Sequence, residues 1–180
     1  MGKVGIGIKA GALGGVIAGI FLASANYIVT TIYKEAYINM FKRIVEKLSE
    51  EYGVTLPYGS PEEAALAMYN LSRIQGSIYA IIITVIMGVI VGAVLAKFYS
   101  KLPSGSPLVK ALLVSYIILV VKTGLSLTFS GIGGFKSEEL GIPQVITTFG
   151  YIMDITSYTI MGLAIGALYG KWVTKAEESL

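Results

Sequence analysis

The sequence predicts an all-α polytopic membrane protein, a single membrane domain over residues 1–180 with four transmembrane helices and an extracellular helical hairpin between the first two. Three observations predict it. Hydrophobic residues make up 54% of the 180 and charged residues only 14%. Mean hydropathy is +0.74, whereas soluble domains run nearer a quarter charged. Four apolar segments reach the ~20 residues that a helix needs to cross a ~30 Å hydrocarbon core. The alternation expected of barrel strands is missing, so helices are the spanning element.

The spans are read at about 4–33, 77–99, 108–129 and 144–172. Lys3, Lys9 and the Ala23-Ser24-Ala25 triplet also fit a signal peptide with a cleavage site. The reading adopted is an uncleaved first helix. Pro107 and Pro143 follow polar or Gly-containing loops and suit the first turns of the third and fourth helices.

Between the first two spans lies the 34–76 segment, read as the hairpin. Tyr37, Met40, Phe41, Ile44, Val45, Leu48 and Tyr52 recur at three- and four-residue steps, the pattern of an amphipathic helix. Neither Gly nor Pro occurs between Gly19 and Gly53. The first helix is therefore expected to run on without a break, ~70 Å in all at 1.5 Å per residue. Gly53 ends it. Ser60-Pro61-Glu62-Glu63 reads as a capping box with Pro at the first helical position. A second outer helix is expected to about Ile74, leading past Gly76 into the second span. The hairpin is either a self-packed cap or a partner-binding stalk. Asn70-Leu71-Ser72 matches a glycosylation sequon, a weak motif this near a span.

Sidedness follows from Lys and Arg. The N-terminus, the 97–110 loop and the C-terminal tail carry Lys3, Lys9, Lys97, Lys101, Lys110, Lys171 and Lys175 against Glu177 and Glu178. Lys34, Lys42, Arg43, Lys47, Arg73 and Lys136 lie on the other side with eight Glu. Both termini are therefore expected in the cytoplasm, with the 34–76 and 131–142 loops outside the cell membrane.

The second and fourth spans resemble each other. Met87-Gly88-Val89-Ile90-Val91-Gly92-Ala93-Val94 aligns with Met161-Gly162-Leu163-Ala164-Ile165-Gly166-Ala167-Leu168, Lys97 with Lys171 and Phe98 with Trp172. Lys9-Ala10 and Lys110-Ala111 mark the first and third spans alike. A two-helix unit repeated in parallel (2+2) gives this pattern, as does chance among helices built from few residue types.

Glycines also line faces. Gly7, Gly11, Gly15, Gly19 and Ala23 recur every four residues, as do Gly88, Gly92 and Ala96, and Gly162, Gly166 and Gly170. Such seams let backbones approach where lipid supplies no hydrophobic drive. They serve packing within the chain or self-association through the first helix.

The remaining signal is polar. Lys122 and Asp154 stand alone inside apolar helices, where a single charge costs ~2.5–3.5 kcal/mol on the insertion scale. Counted from the outer helix ends, Asn26, Thr84, Lys122 and Asp154 lie ~10–15 Å deep at 1.5 Å per residue. The third and fourth spans are joined by a short loop, which makes them antiparallel neighbours, so Lys122 and Asp154 are expected to pair. Thr123, Ser126, Ser157 and Tyr158 offer hydroxyls nearby. The candidate intramembrane layer is Asn26, Thr84, Lys122, Ser126, Asp154 and Ser157. It is either a clasp fixing helix register or an ion-handling site.

Enzyme chemistry is not expected. The chain has no Cys and no His, which removes thiolate and imidazole chemistry and the commonest metal ligands. The paired acids (Glu50-Glu51, Glu62-Glu63, Glu138-Glu139, Glu177-Glu178) are adjacent, and adjacent residues on a helix do not face each other. Gly131-Ile132-Gly133-Gly134 lacks the Lys-Ser or Lys-Thr of a phosphate loop. Ile6 occupies the Ser/Thr place of a myristoylation motif. No cofactor or metal is expected. The scattered basic residues argue against nucleic acid. The expected partners are the lipid bilayer and a second copy or another membrane protein. Two functions remain: a structural, accessory or assembly role through helix packing, or a small oligomeric channel or transporter using the polar layer. Abundant Ile, Val, Tyr, Lys and Glu would suit a heat-adapted organism.

Overall fold

A computed structural model describes residues 2–53, 59–103, 105–130 and 143–178. The 131–142 loop, with its Gly-rich stretch and Glu138-Glu139, lies outside the described residues. Five α-helices are present among them: α1 (Lys3–Ile32), α2 (Lys34–Tyr52), α3 (Pro61–Phe98), α4 (Pro107–Ser130) and α5 (Gln144–Glu177). A 3-10 turn, Tyr99–Lys101, follows α3. No strand occurs among the described residues. Helices α1, α3, α4 and α5 are each long and apolar enough to cross a membrane.

Several helix ends are where local chemistry puts them. Ser60 accepts a hydrogen bond from the Glu63 backbone N–H at 3.2 Å and Pro61 opens α3, satisfying a donor that the first turn leaves orphaned. Gly53 terminates α2 with φ +60°, a conformation in which a Cβ is costly. Pro107 begins α4. Pro143 precedes α5 rather than opening it.

Two expectations about the first outer segment change. The first helix is not continuous: it breaks at Tyr33, whose φ is −99° and ψ 31°. Thr30 and Thr31 donate side-chain hydrogen bonds to the carbonyls of Asn26 and Tyr27, at 2.8 and 2.7 Å. Such back-bonding bends helices without Gly or Pro. The bend lets the apolar stripe of α2 pack along α3, burying Val45 on one side and Ala64, Ala65 and Tyr69 on the other. Lys42 pairs with Glu62 across this contact, and that hydrogen bond holds the Lys42 amine above its ordinary pKa. The expected second outer helix is also not separate. Gly76 passes without a break, and α3 runs 38 residues from Pro61 to Phe98.

Packing is most extensive between α1 and α3, then between α1 and α5 and between α4 and α5; α4 touches α3 lightly. One core joins all four, with Ala10, Ala18, Val91, Leu95, Ala111, Met161, Ile165 and Tyr169 fully buried.

The glycine seams are used inside the chain. A Cβ on Gly15 would lie 2.5 Å from the Thr84 carbonyl oxygen, and Gly7 and Gly11 meet the backbones of Gly92 and Gly88 still more closely. Gly14, on the neighbouring face, meets Ile165 of α5. Gly162, Gly166 and Gly170 face Leu112, Leu108 and Pro107 of α4. Backbones this close gain dispersion and Cα–H···O contacts. The α1 seam is therefore filled by α3 and is not open for self-association.

Candidate functional site

Lys122 lies on α4 and Asp154 on α5. Their side chains meet, with Lys122 Nζ donating to Asp154 Oδ2 at 2.7 Å. The ammonium also sits 5.6 Å from the centre of the Tyr158 ring, a cation–π distance. The pair is not sealed: 33% of the Lys122 side chain and 30% of the Asp154 side chain remain exposed. Asp154 forms part of the wall of a groove of about 420 Å³ between α4 and α5, shared with Leu119, Val120, Thr123, Gly124, Tyr151 and Ile155. Nearby, Tyr116 and Thr159 hydroxyls bond at 2.7 Å across the same two helices.

The other members of the predicted layer are placed elsewhere. Ser157 is fully buried and its hydroxyl reaches the Ala18 carbonyl of α1 at 3.5 Å. Thr84 is buried in the α1–α3 seam beside Gly15 and Gly19, with its hydroxyl bonded to the Ala80 carbonyl of its own helix. Asn26 lines a separate cavity with Arg73, between α1, α2 and α3. Ser126 is exposed. Among the described residues, no hydrogen bond links Asn26, Thr84 or Ser126 to the Lys122–Asp154 pair. Residue counting puts these residues at a similar expected depth, but rotation about each helix axis divides the six among separate environments.

Two features had little signal in the sequence. Ser115 is fully buried next to Gly162, and its hydroxyl has no partner among the described residues. Arg73 read as one more outer cation, yet it enters the cavity with Asn26. At the start of α4, Lys110 donates to the Tyr99 carbonyl at 2.6 Å and lies 4.0 Å from that ring. Lys9 lies 5.0 Å from the Trp172 ring.

The arrangement at Lys122 and Asp154 can hold two helices in register and can present a dipolar group to whatever covers α4 and α5. Among the described residues no cluster of acidic groups fit for a metal ion is present. No protein-family model matches the chain, and neither a curated protein nor a solved structure does.

Proposed function

We propose that the chain is a non-enzymatic integral membrane protein that works by assembly, associating with a second copy of itself through the outer face of α4 and α5. The observation that carries this reading is the partial exposure of the Lys122–Asp154 pair. In a single copy, roughly a third of each charged side chain would face hydrocarbon, where charges are costly. A second copy laid over the groove would exchange that contact for protein. Val120, at 70% exposure the most open of the described apolar side chains of α4, stands on the groove wall. The glycine faces are occupied within the chain, so the aliphatic faces remain for association.

The chain lacks Cys, so an introduced thiol is unique. Val120→Cys should give dimers with a bifunctional thiol reagent in native-like membranes, and Ile83→Cys, an exposed position on α3, should not. Monomeric mass in lipid together with no Val120→Cys dimer would overturn the reading. The second reading is an oligomeric channel or transporter, favoured by Thr123 and Asp154 sharing one groove wall. Solute flux in liposomes that vanished with Asp154→Asn would select it.

The proposal includes a 2+2 parallel duplication, supported by equivalent contacts. With Lys9 aligned to Lys110, Gly11 and Gly7 correspond to Leu112 and Leu108. Gly88 and Gly92 meet the first two, while Gly162 and Gly166 meet the second two. Ala10 and Ala111, Val91 and Ile165, and Leu95 and Tyr169 are matched pairs, all fully buried. The first helix of each unit also reaches the second helix of the other, α1 to α5 and α4 to α3, as a two-fold axis along the membrane normal would require. The charged pair breaks the repeat: Phe21 and Ala80 occupy the positions of Lys122 and Asp154. The pair is thus dispensable for the two-helix unit and specific to one side of the bundle.

The proposed setting is the cell membrane, with cytoplasmic termini and the 34–76 and 131–142 segments outside. A membrane-impermeant thiol reagent on intact cells should label Glu46→Cys and Lys136→Cys, and reach Lys101→Cys and Lys175→Cys only after permeabilisation. The opposite pattern would reverse the sidedness. Labelling of Glu46→Cys without Lys136→Cys would break the two-helix repeat.

A further inference from the structure

We infer that the cavity between α1, α2 and α3 binds a phosphate group, with Arg73 as its cation and Asn26 and Tyr37 as its neutral donors. The cavity has a volume of about 200 Å³ and is also lined by Thr30, Ser72 and Ser77. It lies away from the α4–α5 groove and does not depend on the assembly reading.

Arg73 is held rather than floating. Its guanidinium lies 5.1 Å from the Tyr27 ring and 5.8 Å from the Tyr69 ring, and the Tyr69 hydroxyl donates to the Thr30 carbonyl at 3.2 Å. Stacking of this kind orients the guanidinium fork at little further entropic cost. Its Nε is buried without a hydrogen-bond partner, and no carboxylate pairs with it among the described residues. The guanidinium as a whole makes no hydrogen bond or ion pair among the described residues, which leaves its outer N–H groups to a ligand oxygen.

The donors narrow the ligand class. The hydroxyls of Thr30, Ser72 and Ser77 already donate to the carbonyls of Asn26, Tyr69 and Arg73. The Asn26 amide and the Tyr37 hydroxyl have no such bond among the described residues. Burial raises the Tyr37 pKa, so its phenol stays protonated and able to donate. A cation and two neutral donors around one small cavity fit an oxyanion, and the planar guanidinium fork matches phosphate oxygens in pairs. Arg73 stands one helical turn before the second predicted span while Asn26 and Thr30 lie within the first, so the cavity lies across the predicted membrane border. Leu71, Ile74 and Ile78 form an exposed apolar strip on α3 beside it, where an acyl chain could lie. The phosphate could belong to a lipid headgroup or to a free ion.

The test uses the full chain in detergent. Native mass spectrometry follows retention of phosphatidylglycerol and of diacylglycerol, and thermal melting follows a titration with inorganic phosphate. Saturable retention of phosphatidylglycerol without diacylglycerol would identify a lipid source. A saturable melting shift with inorganic phosphate, without lipid retention, would identify a free ion. Either supports the site, provided that Arg73→Gln weakens binding by ~10- to 100-fold, the loss expected for a charge-assisted hydrogen bond. Lys42→Gln, on a cation outside the cavity, should leave binding unchanged. Equal binding by Arg73→Gln overturns the proposal. So does wild-type protein that shows no saturable binding of either phosphate probe, a result that stands even if Arg73→Gln fails to fold.

Discussion

Replacing Lys122 with Leu should destabilise the protein more than replacing Lys122 and Asp154 with Leu together. The 2.7 Å contact leaves Asp154 without its partner when Lys122 is lost, and a stranded carboxylate in apolar surroundings is costly. Breaking a fully buried pair costs ~3–5 kcal/mol. This pair is about a third exposed rather than fully buried, so a smaller loss of ~1–3 kcal/mol is expected. For a chain of this size, 1 kcal/mol shifts the midpoint by ~2–4 °C. The single variant should therefore melt several degrees lower, and the double variant should recover much of that. The proposed repeat aligns Phe21 and Ala80 with Lys122 and Asp154, so its first unit is built without a charge pair, which is why recovery is expected. Equal melting temperatures for the single and double variants, measured in one detergent, would sink the pairing argument. If the pair also supports the proposed dimer, the double variant should be stable yet fail to cross-link at Val120→Cys.

The second large effect lies in the α1–α3 seam. Gly11→Ala adds one methyl, but the Cβ would meet the Gly88 backbone, with the Gly88 carbonyl carbon at 2.8 Å and Val89 Cα at 3.1 Å. Backbone atoms cannot rotate away as a side-chain tip can, so the two helices must separate. Separation weakens dispersion along the whole contact, and overpacking of this kind costs ~1–3 kcal/mol. Gly124→Ala is the control. Nothing lies within 4 Å of its added Cβ, and Ala is the better helix former by up to ~1 kcal/mol. Gly11→Ala should lower the midpoint and Gly124→Ala should hold or raise it. Indifference at Gly11 would mean that α1 and α3 are not packed as closely as described.

Much of the fold was legible because its causes are local. Apolar length sets the spans. Pro107, Gly53 and the Ser60-Pro61-Glu62-Glu63 box end or begin helices through backbone chemistry confined to a few residues. The Lys122–Asp154 contact was legible because a short loop makes α4 and α5 neighbours and a stranded charge has one opposite partner within reach. The break at Tyr33 was not, since no Gly or Pro marks it and it depends on Thr30, Thr31 and the docking of α2 on α3.

What the sequence determined by itself is the number of helices able to cross a membrane, most of their limits and the identity of the ion pair between α4 and α5. Only the tertiary structure decided which way each helix faces. It put Asn26 with Arg73, Thr84 in the glycine seam and Ser157 against Ala18, rather than gathering them around the charges. The physical reason is that these helices are apolar on nearly every side. With no polar face to mark the outside, periodicity cannot give their rotation. That is left to the close fit of Gly7, Gly11 and Gly15 on α3, and of Gly162 and Gly166 on α4.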